Sequence, residues 1–216
     1  MTLLDMQTTN YFPKLRGGAQ PMDFATCPDN PLRLMQDWAT HVLSIGATEP
    51  MFVTLATASA TGIPSSRTVQ LLDIADDALL FTTNMGSRKG VEILETGAVA
   101  VSLYWRETGQ SINVTGTVRV ADDDENDRRF AQDHREVQAS RVVSFHGRKL
   151  TDEAAHNARW EELYRSDRAI ARPDYWKWFR VVPNGVTFWE GHPDRMNRRL
   201  HYTRTGEIWD KSPIEA

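Results

Sequence analysis

Two neighbouring stretches decide the fold: RTVQLL at residues 67–72 and FTTNMGSRK at residues 81–89. Both contain β-branched or aromatic residues that are typical of strands. In the second stretch, a Gly-Ser pair precedes a predicted helix that starts with Arg88 and Lys89. A helix placed directly after a strand presents free backbone N–H groups and the positive end of its dipole at the strand ends. This order predicts a cradle for a phosphate of charge near two. On the triplet Ser-Arg-Lys alone, the alternative is an ordinary capped helix on a solvated face.

Short β-rich runs follow one another from Met51 onward and predict an antiparallel barrel. A turn formed by Ser65-Ser66 is expected to lead into the second of these strands. A hairpin turn is expected at Pro183-Asn184-Gly185. The predicted strands are residues 51–57, 67–74, 78–83, 98–105, 111–121, 176–183, 186–190 and 200–204, with a last β segment at 208–209.

Helices are predicted before and within this series of strands. Asn30 as cap and Pro31 in the first turn begin a helix whose apolar residues recur at helical spacing, at Leu34, Met35, Trp38, Val42 and Ile45. A mainly helical insert is expected over about 122–166, with a break near residues 146–147, and it is the candidate lid. Residues 1–28 lack a period and are expected to form a mobile arm, which leaves residues 29–216 as a single domain.

Composition excludes several classes of protein. The 216 residues include 25 basic and 29 acidic side chains, for a net charge of −4, which argues against a nucleic-acid-binding surface. Cys27 is the only cysteine, so no internal disulfide is expected, and no apolar run suits a membrane span. The histidines lack metal-ligand spacing, so no metal is expected. A cytoplasmic protein fits these features.

Three motifs in order resemble the pyridoxine 5'-phosphate oxidase family: PSSR at 64–67, TTNMGSRKG at 82–90, and FWEG at 188–191 followed by Arg195 and Arg199. The resemblance runs from about residue 31 to the C-terminus. It implies a mainly β (α+β) fold, a six-stranded antiparallel split β-barrel with flanking helices. It also implies that FMN binds at the interface of a homodimer, with both subunits contributing to each site.

The resemblance assigns cofactor contacts by position. The FMN phosphate would be held by Arg67, Ser87, Arg88 and Lys89. The isoalloxazine ring and ribityl chain would be lined by Thr68, Val69, Gln70, Thr82 and Thr83. The second subunit would supply Gln110, Trp189 and Arg199.

Within the family, LYWRETGQ at 103–110 is more similar to the FMN oxidases of phenazine biosynthesis than to the vitamin B6 enzymes. The B6 enzymes have a lysine for the substrate phosphate where this chain has Leu72. Their Tyr, Arg and Ser in the insert correspond to Arg129, Asp133 and Val137. A carboxylate in place of a cation predicts repulsion of a dianionic substrate, so pyridoxine phosphate is expected to bind badly.

The family's Arg-X-His reads Arg195-Met196-Asn197 here, and its Gln-Ser flavin contact reads His146-Gly147. Arg195 and Asn197 are therefore the candidate substrate-binding residues, Arg195 as a clamp for a substrate carboxylate. The alternative for Arg195 is an ion pair with Asp194. No acid or base is assigned, because FMN would carry the redox chemistry.

The leading hypothesis is an FMN-dependent oxidase that aromatises a dihydro-heteroaromatic intermediate of secondary metabolism, with O2 as acceptor and H2O2 as product. A pyridoxine/pyridoxamine 5'-phosphate oxidase is the nearest alternative. A flavin-binding split barrel without turnover is a third.

Overall fold

The structure is a computed structural model that describes residues 21–192 and 196–215. Within these residues the chain forms five helices: α1 Pro31–Ser44, α2 Arg88–Thr96, α3 Asp123–Gln132, α4 Arg135–Val143 and α5 Glu153–Arg165. The strands are β1 Phe52–Ala58, β2 Pro64–Gln70, β3 Asp73–Ile74, β4 Leu79–Asn84, β5 Ala98–Trp105, β6 Gln110–Val120, β7 Trp176–Glu190, β8 Arg198–Thr205 and β9 Ile208–Ile214. None of the described helices is long and apolar enough to cross a membrane.

One antiparallel sheet contains all nine of these strands, in the order β2-β1-β5-β6-β7-β4-β3, with β8 and β9 added beside β7. The predicted strand 67–74 divides at Leu71-Leu72. The N–H of Leu71 donates to Met51 O next to β1, while that of Leu72 donates to Leu80 O in β4. These two bonds join the opposite ends of the sheet and curl it into a half-barrel. The described sheet has three more strands than the six expected, but the antiparallel barrel architecture is as predicted.

The hairpin expected at Pro183-Asn184-Gly185 is not formed, because these residues lie within β7. The segment continues as one strand of 15 residues, because the 11-residue β6 pairs with both of its halves. The register shifts between Thr115 and Gly116, where Gly185 and Pro183 are the respective partners. Asn184 is therefore the extra residue of a β-bulge. The neighbouring Pro183 is tolerated in the strand because a bulge does not need its missing N–H.

Helix α1 covers one face of the sheet, as its sequence period predicts. The Asn30 side chain accepts a hydrogen bond from the N–H of Leu32, and Pro31 occupies the first turn. Seven apolar side chains of α1 are buried, and Trp38 packs edge-on against Phe188 of β7 at 5.1 Å. Ile45 is the exception among the predicted core positions, since it lies just past the helix and is 39% exposed.

The segment from Met22 to Cys27 is packed against the sheet, although it falls within the predicted arm. Met22 is 1% exposed, its N–H donates to Glu190 at 2.6 Å, and its carbonyl accepts from Arg198 at 2.7 Å. These contacts hold Met22 against β7 and β8, within the predicted arm. The domain boundary at residue 28 stays a prediction. Residues 1–20 lie outside the described residues.

The insert follows β6 and consists of α3, α4 and α5. Arg172, whose side chain is 5% exposed, ties α3 to the start of β7 through Asp123 and Asp127. Arg135 donates to backbone carbonyls at the C-terminal end of α5, including Leu163 O and Tyr164 O. Arg135 thus pairs with carbonyls at the end of α5, where no intrahelical donor is available, and Arg172 pairs with two carboxylates of α3. The role of the insert as a lid stays a prediction.

Candidate functional site

The start of α2 lies at the end of β4, where the sequence predicts a phosphate cradle. Ser87 is the N-cap, and its Oγ accepts from the N–H of Gly90 at 3.3 Å. A Cβ at Gly90 would lie 2.6 Å from Asn84 O and 2.7 Å from the carbonyl carbon of Met85. Glycine at this position therefore lets the helix approach the preceding turn closely enough to aim its N-terminus there.

Substitution Gly90→Ala is expected to lower the free energy of unfolding by about 1–3 kcal/mol, the usual cost of overpacking. Helix propensity alone would change it in the opposite direction, by about 1 kcal/mol, so the sign is informative. Urea denaturation at fixed protein concentration measures the change. Val91→Ala is the control, because Val91 is 43% exposed on the same helix. Equal or greater stability of Gly90→Ala would show that α2 does not require this close approach.

Arg67 of β2 faces the same cluster, and its guanidinium is held by the protein. Its Nη1 donates to Leu55 O at 3.1 Å and to Thr57 Oγ1 at 2.7 Å, and its Nη2 donates to Ser65 Oγ. Nη2 also lies 3.5 Å from a carboxylate oxygen of Glu92. Burial lowers the pKa of Arg67 below its usual range, and Glu92 partly offsets that effect.

Glu92 is a buried carboxylate on α2, with a side chain 5% exposed. Hydrogen bonds from Ser65 and Thr57 are the largest causes that lower its pKa to about 2, and a bond from Arg88 Nε at 2.8 Å adds to them. Its ionisation therefore contributes to stability above the usual pKa of 4.5, and this contribution is lost as the pH falls toward 2. At neutral pH the group is an anion.

Lys89 is the half-buried cation of the cluster. Its Nζ donates to Ser87 Oγ at 3.4 Å, and among the described residues it forms no ion pair with a carboxylate. Burial, and then the nearby Arg67, lowers its pKa. Burial and a neighbouring cation disfavour the charged form of a lysine, and a bound anion would favour it. This is the main electrostatic feature of the site.

The residues expected to line the flavin divide between two faces. Thr68 and Gln70 are exposed on the outer face of β2, whereas Val69 packs against the core and offers only its backbone to that face. Because β2 pairs with β1 alone, half of its backbone polar groups face the open edge. In β4, Thr82 Oγ1 donates to Lys177 O at 2.9 Å, while Thr83 Oγ1 is buried with no hydrogen-bond partner.

Gln110, Trp189 and Arg199 form a second group at the far end of β7. Gln110 pairs with Glu190 across β6 and β7, and Trp189 pairs with Arg199 across β7 and β8. Gln110 is 1% exposed. Trp189 lies twelve residues along β7 from Lys177, the neighbour of Thr83, which is roughly 40 Å of strand contour. The structure thus brings the predicted residues together in two groups, not one.

The two candidate substrate-binding residues fall in the sequence between β7 and β8. Arg195 falls outside the described residues. Asn197 is described, and its Oδ1 accepts from the N–H of His192 at 3.1 Å. The Asn197 side chain therefore links residues 192 and 197, and its contact with substrate stays a prediction.

Asp133 is not an isolated negative charge, so it repels a dianionic substrate less than the sequence predicts. It forms an ion pair with Arg141, whose side chain is 8% exposed. The Arg141 guanidinium lies 5.1 Å from the ring centre of Trp176 and 5.7 Å from that of Trp178. The expected repulsion between Asp133 and a dianion is therefore largely neutralised. What remains is the loss of a cation available to the substrate.

Of the other two insert positions, Arg129 forms an ion pair and Val137 is apolar. Arg129 pairs with Glu125 at 2.8 Å and lies 5.0 Å from the Trp178 ring. Val137 has no polar group, and Leu72 is 38% exposed. Leu72, Asp133 and Val137 therefore offer no cation to a substrate phosphate, and the Nε of Arg129 is already engaged by Glu125.

His146 lies edge-on to Trp176 at 5.3 Å, and burial followed by nearby Lys89 lowers its pKa. The adjacent Phe145 lies against Gly86, where a Cβ would meet its ring. The loop after α4 therefore reaches the cradle. Its contact with a flavin stays a prediction.

Sequence reasoning missed Glu92, Thr57, Ser65 and Arg141. Ser65 was assigned to a turn but lies within β2, where strand alternation turns it to the same face as Arg67. A usable signal for Glu92 was its position four residues after Arg88, which places both on one helix face. Arg141 had no such signal, because its partners are Asp133, which follows α3, and two tryptophans of β7.

Two family models match the chain. Residues 46–166 match the model described as Pyridoxamine 5'-phosphate oxidase, and residues 176–214 match Pyridoxine 5'-phosphate oxidase C-terminal dimerisation region. With the half-barrel and its cradle, these matches define the class: the chain belongs to the pyridoxamine 5'-phosphate oxidase family, and the recognised resemblance is confirmed.

Individual relatives include enzymes with two different names. Dihydrophenazinedicarboxylate synthase of Burkholderia lata is 32% identical over 209 residues, covering 96% of this chain and 99% of its own length. Pyridoxine/pyridoxamine 5'-phosphate oxidase of Rubrobacter xylanophilus is 35% identical over 190 residues, covering 87% of each. Overall identity therefore does not separate the two activities.

Solved structures confirm the split-barrel fold. The crystal structure of PhzG from Burkholderia lata in complex with tetrahydrophenazine-1-carboxylic acid has a TM-score of 0.88 at 32% identity, covering 93% of this chain and 100% of that one. An FMN-binding protein from Nostoc punctiforme has a TM-score of 0.71 at 18% identity, and it supports the fold alone.

Proposed function

We propose that this protein is an FMN-dependent oxidase that aromatises a reduced heterocycle of secondary metabolism, with O2 as the electron acceptor. The observation that carries the proposal is Lys89, a half-buried cation beside Arg67 without a carboxylate partner among the described residues, at the N-terminus of α2. A phosphate at this position would receive backbone N–H groups, the helix dipole and the lysine together.

The residues present fit FMN by charge and by polarity. Arg67, Arg88 and Lys89 are three cations against the single carboxylate of Glu92, which leaves two net positive charges for a phosphate monoester. The buried, unpartnered Thr83 Oγ1 offers a further donor or acceptor. When bound, FMN supplies the two-electron chemistry, and O2 takes up two electrons and two protons as H2O2.

A homodimer is part of this proposal. The cradle and the group of Gln110, Trp189 and Arg199 are separated along β7 by much more than the length of a flavin. A second subunit can bring its own Trp189 group to the cradle of the first. The match of residues 176–214 to a dimerisation region supports this arrangement.

The choice of substrate class rests on the positions that hold a substrate phosphate in the B6 enzymes. Here Leu72 and Val137 are apolar, Arg129 pairs with Glu125, and Asp133 pairs with Arg141. A substrate without a phosphate, such as the carboxylated ring bound in the Burkholderia lata structure, fits these side chains better. Arg195 is the proposed clamp for its carboxylate.

The test is the visible spectrum of the purified protein with FMN, recorded without oxygen. We expect the flavin band to bleach on addition of a reduced phenazine carboxylate and to return, with H2O2, on admission of air. Pyridoxine 5'-phosphate is expected to leave the band unchanged. Bleaching by pyridoxine 5'-phosphate would identify a vitamin B6 oxidase instead. A bound flavin that neither compound reduces would favour a binding protein without turnover.

A further inference from the structure

A second layer of side chains lies beneath the cradle and consists of Glu92, Thr57 and Ser65. Glu92 comes from α2, Thr57 from β1 and Ser65 from β2. Both hydroxyls donate to Glu92 Oε2, and Arg88 donates to Oε1 at 2.8 Å. Oε2 also lies 3.5 Å from Arg67 Nη2. One buried carboxylate therefore joins a helix to two strands and contacts two of the three cations.

This layer holds the guanidinium groups before any anion arrives. Arg67 is fixed by Leu55 O, Thr57 and Ser65 as well as by Glu92. An arginine that is already oriented loses less side-chain entropy when it binds an anion. Arg88 differs, because its side chain is 63% exposed and its Nε contacts Glu92 alone among the described carboxylates.

We propose that Glu92 is the positioning residue of the phosphate cradle. It holds Arg67 and Arg88 in place. Its negative charge also reduces the net charge of the cluster to a value that balances a phosphate dianion. This inference rests on the proposed function and deepens it. It assigns to a buried carboxylate a role that is exerted through the two arginines.

Two effects of removing the carboxylate oppose each other, so the direction of change is decisive. Without Glu92 the cluster gains one positive charge, which by itself would strengthen binding of an anion. The arginines would also lose their common acceptor, and the amide of a glutamine would set its own N–H groups against the surrounding donors. If positioning dominates, binding of the phosphate weakens. If Glu92 merely competes with the phosphate, binding strengthens.

The experiment compares Glu92→Gln with Glu95→Gln in the full-length protein, using fluorescence titration with FMN and with riboflavin. Glu95 is the matched control, because it is an exposed carboxylate on the same helix, and its Oε2 accepts a hydrogen bond from the N–H of Ala60. For Glu92→Gln we expect the Kd for FMN to rise about tenfold, the effect of one charge-assisted hydrogen bond. The Kd for riboflavin, which lacks the phosphate, should stay within about twofold, and Glu95→Gln should match the wild type for both.

An unchanged or lower Kd for FMN in Glu92→Gln would overturn the inference. If that variant does not fold, Glu92→Asp keeps the charge but shortens the side chain, and a rise in the Kd for FMN alone is again expected. Failure of the proposed cofactor is distinguishable, because the wild-type protein would then bind FMN no more tightly than riboflavin. Failure of the proposed oxidase activity alone would appear in the reduction test and would leave these Kd values unchanged.

Discussion

Lys89→Ala is expected to raise the Kd for FMN by about 10- to 150-fold while leaving the Kd for riboflavin nearly unchanged. A hydrogen bond to a charged group contributes about 1.5–3 kcal/mol, and each 1.4 kcal/mol is a factor of ten. The effect is confined to FMN because Lys89 lies at the start of α2, where only the phosphate is expected. Fluorescence titration with both ligands measures it.

The pH dependence of binding adds an independent readout. Burial and Arg67 lower the pKa of Lys89 in the free protein, and a bound dianion raises it again. FMN affinity is therefore expected to fall as the pH rises through the lowered pKa, and this decline should be absent in Lys89→Ala. Lys149→Ala is the control, since Lys149 is exposed on the loop after α4. Equal loss of riboflavin binding in Lys89→Ala would mean that the lysine supports the fold and not a phosphate.

Local signals were sufficient for the elements near the cradle. The Asn30-Pro31 start of α1 depends on residues adjacent in sequence, and the strand predicted at 98–105 matches β5 because its side chains alternate between buried and exposed. The order of strand, Gly-Ser and helix likewise predicts α2 and its cap. Such features depend on backbone chemistry within a few residues.

Features that depend on distant partners were not predictable in this way. Pro183-Asn184-Gly185 has the composition of a turn, but pairing with β6 keeps the segment extended and turns it into a bulge. Glu92 and Arg88 read as an ordinary surface pair on one helix, because Thr57 and Ser65 are more than twenty residues away in sequence. Buried polar networks are assembled by the fold, so a single sequence shows only fragments of them.

Arg141→Ala is expected to lower the free energy of unfolding by about 3–5 kcal/mol, because removal of one partner leaves the other as an unpaired buried charge. The remaining partner is Asp133, 16% exposed, and the cation also leaves the faces of Trp176 and Trp178. Arg165→Ala is the control. Its pair with Glu161 is exposed, 73% and 51%, and such pairs contribute about 0–1 kcal/mol. Urea denaturation at a fixed protein concentration compares the variants.

A change of pH and a second substitution test whether the lower stability of Arg141→Ala comes from the unpaired carboxylate of Asp133. Burial raises the pKa of Asp133, with Arg141 opposing that effect, so loss of Arg141 raises it further. A carboxyl with a raised folded pKa costs stability above that pKa, and this cost disappears as the pH falls below it. The loss of unfolding free energy caused by Arg141→Ala should therefore be smaller in acid. At neutral pH, adding Asp133→Asn to that variant should recover part of the lost stability. If neither change reduces the penalty, Arg141 acts by packing on the two tryptophans, and the charge of Asp133 is irrelevant to the stability of the insert.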